Sequence, residues 1–124
     1  MASPQFTTSV AVRHLPEQSD SQAGQHAFAY TITITNSGDV TGQLVGRHWI
    51  ITDATGHVDE VRGLAVVGQQ PVLKPGESFE YTSWTRLATP HGTMRGTFFC
   101  MTEDARPFDT PIDEFGLTLA SALH

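Results

Sequence analysis

A chain of 124 residues fits one domain, spanning 1–124 with an ordered core over about 6–119, and a domain of that size can bury a core without a disulfide staple. Its formal net charge is −6 and its seven Lys and Arg residues are scattered singly, so no basic stripe can follow a phosphate backbone and nucleic acid is not an expected ligand. The single cysteine, Cys100, forbids an internal disulfide and a Cys-rich zinc site; with no basic leader and no apolar run of ~18 residues, a cytoplasmic protein without membrane insertion is expected.

Along the chain, period-two alternation dominates. "FAYTITIT" puts Phe28, Tyr30, Ile32 and Ile34 on one side and Ala29, Thr31, Thr33 and Thr35 on the other, the pattern of a half-buried strand. "NSGD", Asn36 to Asp39, supplies turn residues, and "QLVGRHWIIT" resumes as the antiparallel partner. "TDATGH" at 52–57 predicts a second turn and "HVDEVRG" a short strand. "KPGESFEYTSWTRL" opens on a Pro-Gly turn before Phe79 and Tyr81 alternate with Glu80 and Thr82. After "TPHG" at 89–92 come "TMRGTFFCMTED", a strand interrupted at Gly96, "ARPFDTPI", a proline-limited edge segment, and "EFGLTLA", a last short strand. "PEQSDSQAGQ" at 16–25 reads as a polar loop. About seven or eight short strands with no convincing helix predict an all-β antiparallel sandwich of the immunoglobulin or fibronectin type III kind, with a barrel as the alternative.

The stretch "RGLAVVGQQP", Arg62 to Pro71, has glycines at 63 and 68 and invites comparison with a phosphate loop. A dinucleotide fingerprint fails because Ala65 stands where a middle glycine belongs and "QQPVLKPGE" cannot open a helix; a P-loop fails for want of a Lys-Ser or Lys-Thr after Gly68. A turn between strands is the first reading and a backbone nest for an anion the second. In the turn reading Ala65 holds an ordinary φ, so glycine there would cost a little stability.

The six histidines show no metal-ligand spacing. His48 and His57 flank a segment carrying Asp53 and Asp59, while His14, His26 and His91 fall near strand ends or turns, and His124 is terminal. Glu103, Asp104, Asp109, Asp113 and Glu114 beside Pro107 and Pro111 suit a solvated edge that resists pairing with another chain. Cys100 inside "TFFCMT" reads as a buried thiol, and Ser78 and Ser83 have no fixed His or Asp partner, so catalysis is the minority reading. Trp49 reads as core. Trp84, among polar neighbours in "YTSWTR", reads as an aromatic offered to a partner.

"RHWIITDATGHVDEVRG", "VVGQQPVLKPGESFEYTS" and "TPHGTMRGTF" resemble the ApaG family of small bacterial proteins, over about Phe6 to Leu119. The resemblance implies a fibronectin type III-like sandwich and a link to cobalt resistance and magnesium efflux. Similar domains in eukaryotic F-box and polymerase-interacting proteins imply a protein-interaction module; a diadenosine tetraphosphate hydrolase gene as the usual neighbour keeps a nucleotide or pyrophosphate as an alternative ligand. The family's Gly-x-Gly-x-Val-Gly-x-x-Pro pattern falls on Gly63, Ala65, Val67, Gly68, Gln69, Gln70 and Pro71, with Ala65 in the place of the second glycine, where its Cβ would keep a phosphate from the backbone. Trp84 stands where a small residue is expected and His91 where Ser is usual.

The sequence thus predicts a binding module without enzymatic activity or cofactor that takes a protein partner. Its candidate surfaces are the loop from Arg62 and Gly63 to Pro71 and the residues Trp84 and His91. A phosphate or nucleotide binder is the first alternative, and a direct binder of divalent cations the second.

Overall fold

A computed structural model describes residues 3–119; His124 and the end of the last predicted strand, Ala120, lie outside them. Eight strands form two antiparallel sheets. One holds β1 (Phe6–His14), β2 (His26–Asn36) and β6 (Ser78–Leu87) in the order β1-β2-β6. The other runs β4 (Val58–Leu64), β3 (Gly42–Asp53), β7 (Gly92–Thr102) and β8 (Pro107–Leu117), with the two-residue β5 (Val72–Leu73) also paired to β3. The predicted sandwich is therefore the observed one, in the fibronectin type III arrangement, and the barrel alternative falls.

Phe28, Tyr30, Ile32 and Ile34 face the interior, as their alternation demands, and meet Trp49, Phe98 and Leu44 of the facing sheet. Each such side chain contributes about 1.5–3 kcal/mol by leaving water. The outward residues of β2 pair instead with β6: Thr31 with Thr82 (2.7 Å), Thr33 with Glu80 (3.1 Å) and Thr35 with Ser78 (2.7 Å). Trp49 is buried, as read, and the edges of its ring meet Tyr30 and Phe98 at centroid separations of 5.7 and 5.8 Å.

Several boundaries differ from the sequence reading. The segment Phe6–His14 is a strand, β1, although its polar Thr7, Thr8 and Ser9 hide the alternation of Phe6, Val10 and Val12. "ARPFDTPI" and "EFGLT" are one strand rather than two: β8 is an edge, so Pro111 removes no ladder donor that a neighbour needs. Gly96 does not interrupt β7; it remains paired with Trp49, and the register against β8 shifts beside it. Residues 16–25 are tied down by a 3-10 turn over Pro16–Gln18 and by backbone bonds between Asp20 and Gln25. Arg62, Gly63 and Leu64 belong to β4, so the loop of the glycine motif begins at Ala65.

One irregularity positions everything that follows. β3 carries a bulge at Val45, between Leu44 and Gly46, so the inward positions change from Gly42 and Leu44 before it to Arg47, Trp49 and Ile51 after it. The bulge thereby turns a charged side chain toward the space between the sheets.

Candidate functional site

The loop Ala65–Pro71 fills the gap between β4 and β5 along the edge of β3 and is anchored on the bulge. The Ala65 amide and the Gln70 side-chain amide both donate to the Val45 carbonyl (2.8 and 2.9 Å), and the Leu44 amide donates to the Pro71 carbonyl (3.0 Å). Gln43 Nε2 reaches the Gln70 carbonyl (3.1 Å). At its tip Val66 and Gln69 exchange two backbone bonds of 2.8 Å across Val67 and Gly68, whose φ values of 42° and 80° are those of a type I′ two-residue turn. Val66 is driven into the core, 1% exposed, while Val67 stands out at 54%.

The first reading of the loop, a turn between strands, is therefore the observed one, with one correction. Ala65 has φ 68°, a left-handed conformation, where an ordinary φ was expected, because the chain must leave β4 and still return its amide to Val45. The amides of Ala65, Val66 and Gln69 are all engaged within the protein, so they do not converge on an external anion. Gly63 has a different reason. It is the cross-strand partner of Arg47, whose guanidinium lies where a Cβ at residue 63 would be.

Arg47 is the residue that the sequence reading passed over. Its Nη1 donates to the carbonyls of Leu64 (2.9 Å) and Ala65 (3.0 Å), and no carboxylate lies within ion-pair distance among the described residues. It lines a cleft of about 260 Å³ between the sheets on their β4 and β6 side; on the opposite side β1 and β8 come together. The polar groups of the cleft are Arg47, Tyr30, Tyr81, Ser83 and Thr85; its apolar walls are Trp49, Ile51, Val61, Val66 and Met94, and Val67 and Trp84 border it. Burial raises the Tyr30 hydroxyl above the ordinary phenol range, with Ser83 and Arg47 pulling the other way. Burial raises Tyr81 further, and its hydroxyl has no hydrogen-bond partner among the described residues.

The remaining predicted residues are dispersed. Arg62 is exposed and pairs across the strands with His48 on the face away from the cleft. Trp84 is 54% exposed, with the Arg86 guanidinium 5.2 Å from its ring centroid, so it is available as an aromatic surface. His91 is exposed in the turn before β7, where its carbonyl accepts from Thr89 Oγ1 (2.7 Å), and it lies outside the cleft.

The acidic and histidine groups also separate. His48 Nε2 meets Glu60 Oε1 at 2.7 Å and His57 Nε2 meets Asp59 Oδ1 at 3.2 Å, whereas Asp53 accepts from Thr55 and from the His57 amide. Among the described residues no three of His, Cys, Asp and Glu come together as a metal site would require. Cys100 is buried against Thr110 and its thiol is pushed up to about 11, chiefly by burial, so it is protonated at neutral pH. No helix among the described residues is long and apolar enough to cross a membrane.

Comparison with known proteins bears on this geometry. The family model of the ApaG domain matches residues 16–102. Protein ApaG of Ralstonia nicotianae is 58% identical over 124 residues, covering the whole of both chains, and Protein ApaG of Bordetella pertussis is 57% identical over 119 residues, 96% of this chain and 91% of that one. A crystal structure of the ApaA protein from Bordetella pertussis superposes with a TM-score of 0.92 at 56% identity, covering 94% of this chain and 95% of that one.

Proposed function

The chain belongs to the ApaG family, and on that premise we propose that it is a cytoplasmic, non-enzymatic module that binds a protein partner, within the cobalt resistance and magnesium efflux that the family resemblance implies. The observation that carries this reading is the exposure of Leu64 (75%), Val67 (54%) and Trp84 (54%) on the elements that border the cleft, Val67 and Trp84 at its rim. An exposed tryptophan beside an aliphatic side chain, here Val67, is the composition of an interface anchor, and Leu64, across from Gly46, adds apolar surface on the outer face of the other sheet. The inert thiol of Cys100, and the Ser19 hydroxyl, which lies 3.3 Å from His14 Nε2 but donates its proton to the Leu15 carbonyl, favour binding over catalysis.

The test is affinity capture with the parent protein and with a Leu64→Ser, Trp84→Ser double variant, run beside a thermal-shift series with pyrophosphate, ATP, Co²⁺ and Mg²⁺. A partner held by the parent and lost by the variant, with no shift from the small ligands, is expected. A ligand in hundredfold excess over its Kd would stabilise by about 2.7 kcal/mol; a gain of that size with pyrophosphate or a divalent cation would replace the reading with one of its alternatives.

A further inference from the structure

We propose that the cleft between β4 and β6 is a binding site for a single organic carboxylate on an apolar stem, held by Arg47 and Tyr81. Arg47 supplies the charge. Of its five N–H donors the two on Nη1 are directed at the Leu64 and Ala65 carbonyls, which fixes the guanidinium plane and leaves Nε and Nη2 without a partner among the described residues. That free edge is the one that receives a carboxylate side-on through two parallel hydrogen bonds.

Tyr81 supplies the second donor. It is 6% exposed, lines the same cleft, and keeps a buried hydroxyl with no partner among the described residues, a group that native structures rarely leave unsatisfied without a use. Tyr81 and Tyr30 both stay protonated well above neutral pH, so they present donors and not negative charge to an incoming anion.

Size and charge select the ligand. A cleft of about 260 Å³ falls below the ~300–1,000 Å³ of drug-sized ligand sites and is too small for a nucleotide. Among the described residues Arg47 is the only charged one lining it, which balances a monoanion rather than a di- or polyphosphate, and Trp49, Ile51, Val61 and Met94 offer apolar walls to a stem. The same group can arrive as a free acid or as the Glu side chain of a partner. The proposal does not depend on the exposed residues assigned to partner binding.

Binding is measured by calorimetry and by amide chemical shifts with phenylacetate, with its neutral isostere phenylacetamide, and with the blocked tripeptides acetyl-Ala-Glu-Ala-amide and acetyl-Ala-Gln-Ala-amide. Saturable binding of phenylacetate alone supports the site and assigns it to a free acid; binding of the Glu tripeptide alone supports it and assigns it to a partner's side chain; competition between the two supports it for both sources. Arg47→Lys, which keeps the charge and loses the fork, is expected to weaken binding about tenfold, and Tyr81→Phe severalfold, with the far-UV spectrum unchanged. Neither carboxylate binding, the neutral amides binding equally well, or Tyr81→Phe and Arg47→Lys both binding as the parent does would overturn the proposal.

Discussion

The guanidinium of Arg47 lies against the backbone of Gly63, its cross-strand partner, so closely that a Cβ on residue 63 would sit 2.8 Å from Nη1. The first glycine of the family motif thus makes room for a cation of the protein itself. Nη1 is fastened to two carbonyls, so it cannot swing aside without giving up those bonds. Gly63→Ala is expected to cost about 1–3 kcal/mol in urea unfolding, the range of overpacked sites. Gly116→Ala serves as the comparison: its nearest neighbour is 3.7 Å away, and a change within about 0.5 kcal/mol is expected there. Equal effects at the two positions would remove the reason given for Gly63.

The turn that follows is strained at two non-glycine residues, Ala65 at φ 68° and Val67 at φ 42°. A left-handed conformation costs an L-residue about 1–2 kcal/mol, while glycine adds about 0.4–1 kcal/mol of freedom to the unfolded chain. Ala65→Gly and Val67→Gly are each expected to raise stability by about 0.5–1 kcal/mol, since Val67 is half-exposed and gives up little packing. This reverses what an ordinary φ at Ala65 would give. A loss of stability in both variants, read by denaturant titration, would show that the loop relaxes out of the left-handed region.

The strands of the fold were legible where alternation is clean, as in Phe28 to Ile34, and the edge role of β8 was legible from Pro107 and Pro111. The cleft was not. In "QLVGRHWIIT" either parity puts apolar residues inside, Leu44 and Ile50 in one and Trp49 and Ile51 in the other, and only the bulge at Val45 lets Leu44, Trp49 and Ile51 share the interior. Without the bulge Arg47 reads as a solvated surface charge. Similarly, the glycine motif shows small residues at fixed spacing, but not whether a phosphate, a turn or a neighbouring guanidinium requires them. The exposure of Trp84 was legible because an aromatic amid Thr and Ser on a strand has no core to enter.

Trp49 and Gly96 form a second pair of this kind. A Cβ on Gly96 would meet the His48 carbonyl and come within 2.7 Å of Trp49 Cε3, so the indole lies over bare backbone. Here the obstacle is backbone and a buried ring rather than the end of a long side chain. Gly96→Ala is expected to cost about 2–3 kcal/mol and to shift the Trp49 contribution to near-UV circular dichroism, the larger end of the overpacking range. A cost no greater than that of Gly116→Ala would mean that β7 can move off β3 freely.

The chain has two tyrosines, Tyr30 and Tyr81, and burial raises both hydroxyls, so phenolate absorbance reports the cleft directly. In the unfolded chain a tyrosine loses its proton near pH ~10 and a cysteine near pH ~8.5–9. The folded protein holds the Cys100 proton to about 11 and the tyrosine protons to higher pH than usual. Above the unfolded values the native state therefore binds more protons, and its stability falls as pH rises. Cys100 alone, its thiol held by burial to about 11, removes roughly 2–3 kcal/mol between pH 9 and 11. In an alkaline titration, phenolate absorbance is expected to stay absent through the pH at which free tyrosine is half ionised. It should then appear in one step together with loss of the far-UV β signal, at half the amplitude in Tyr81→Phe. Half of the phenolate signal developing near pH 10 with the β signal intact would mean that one hydroxyl is open to water and that the cleft is wetter than its burial implies.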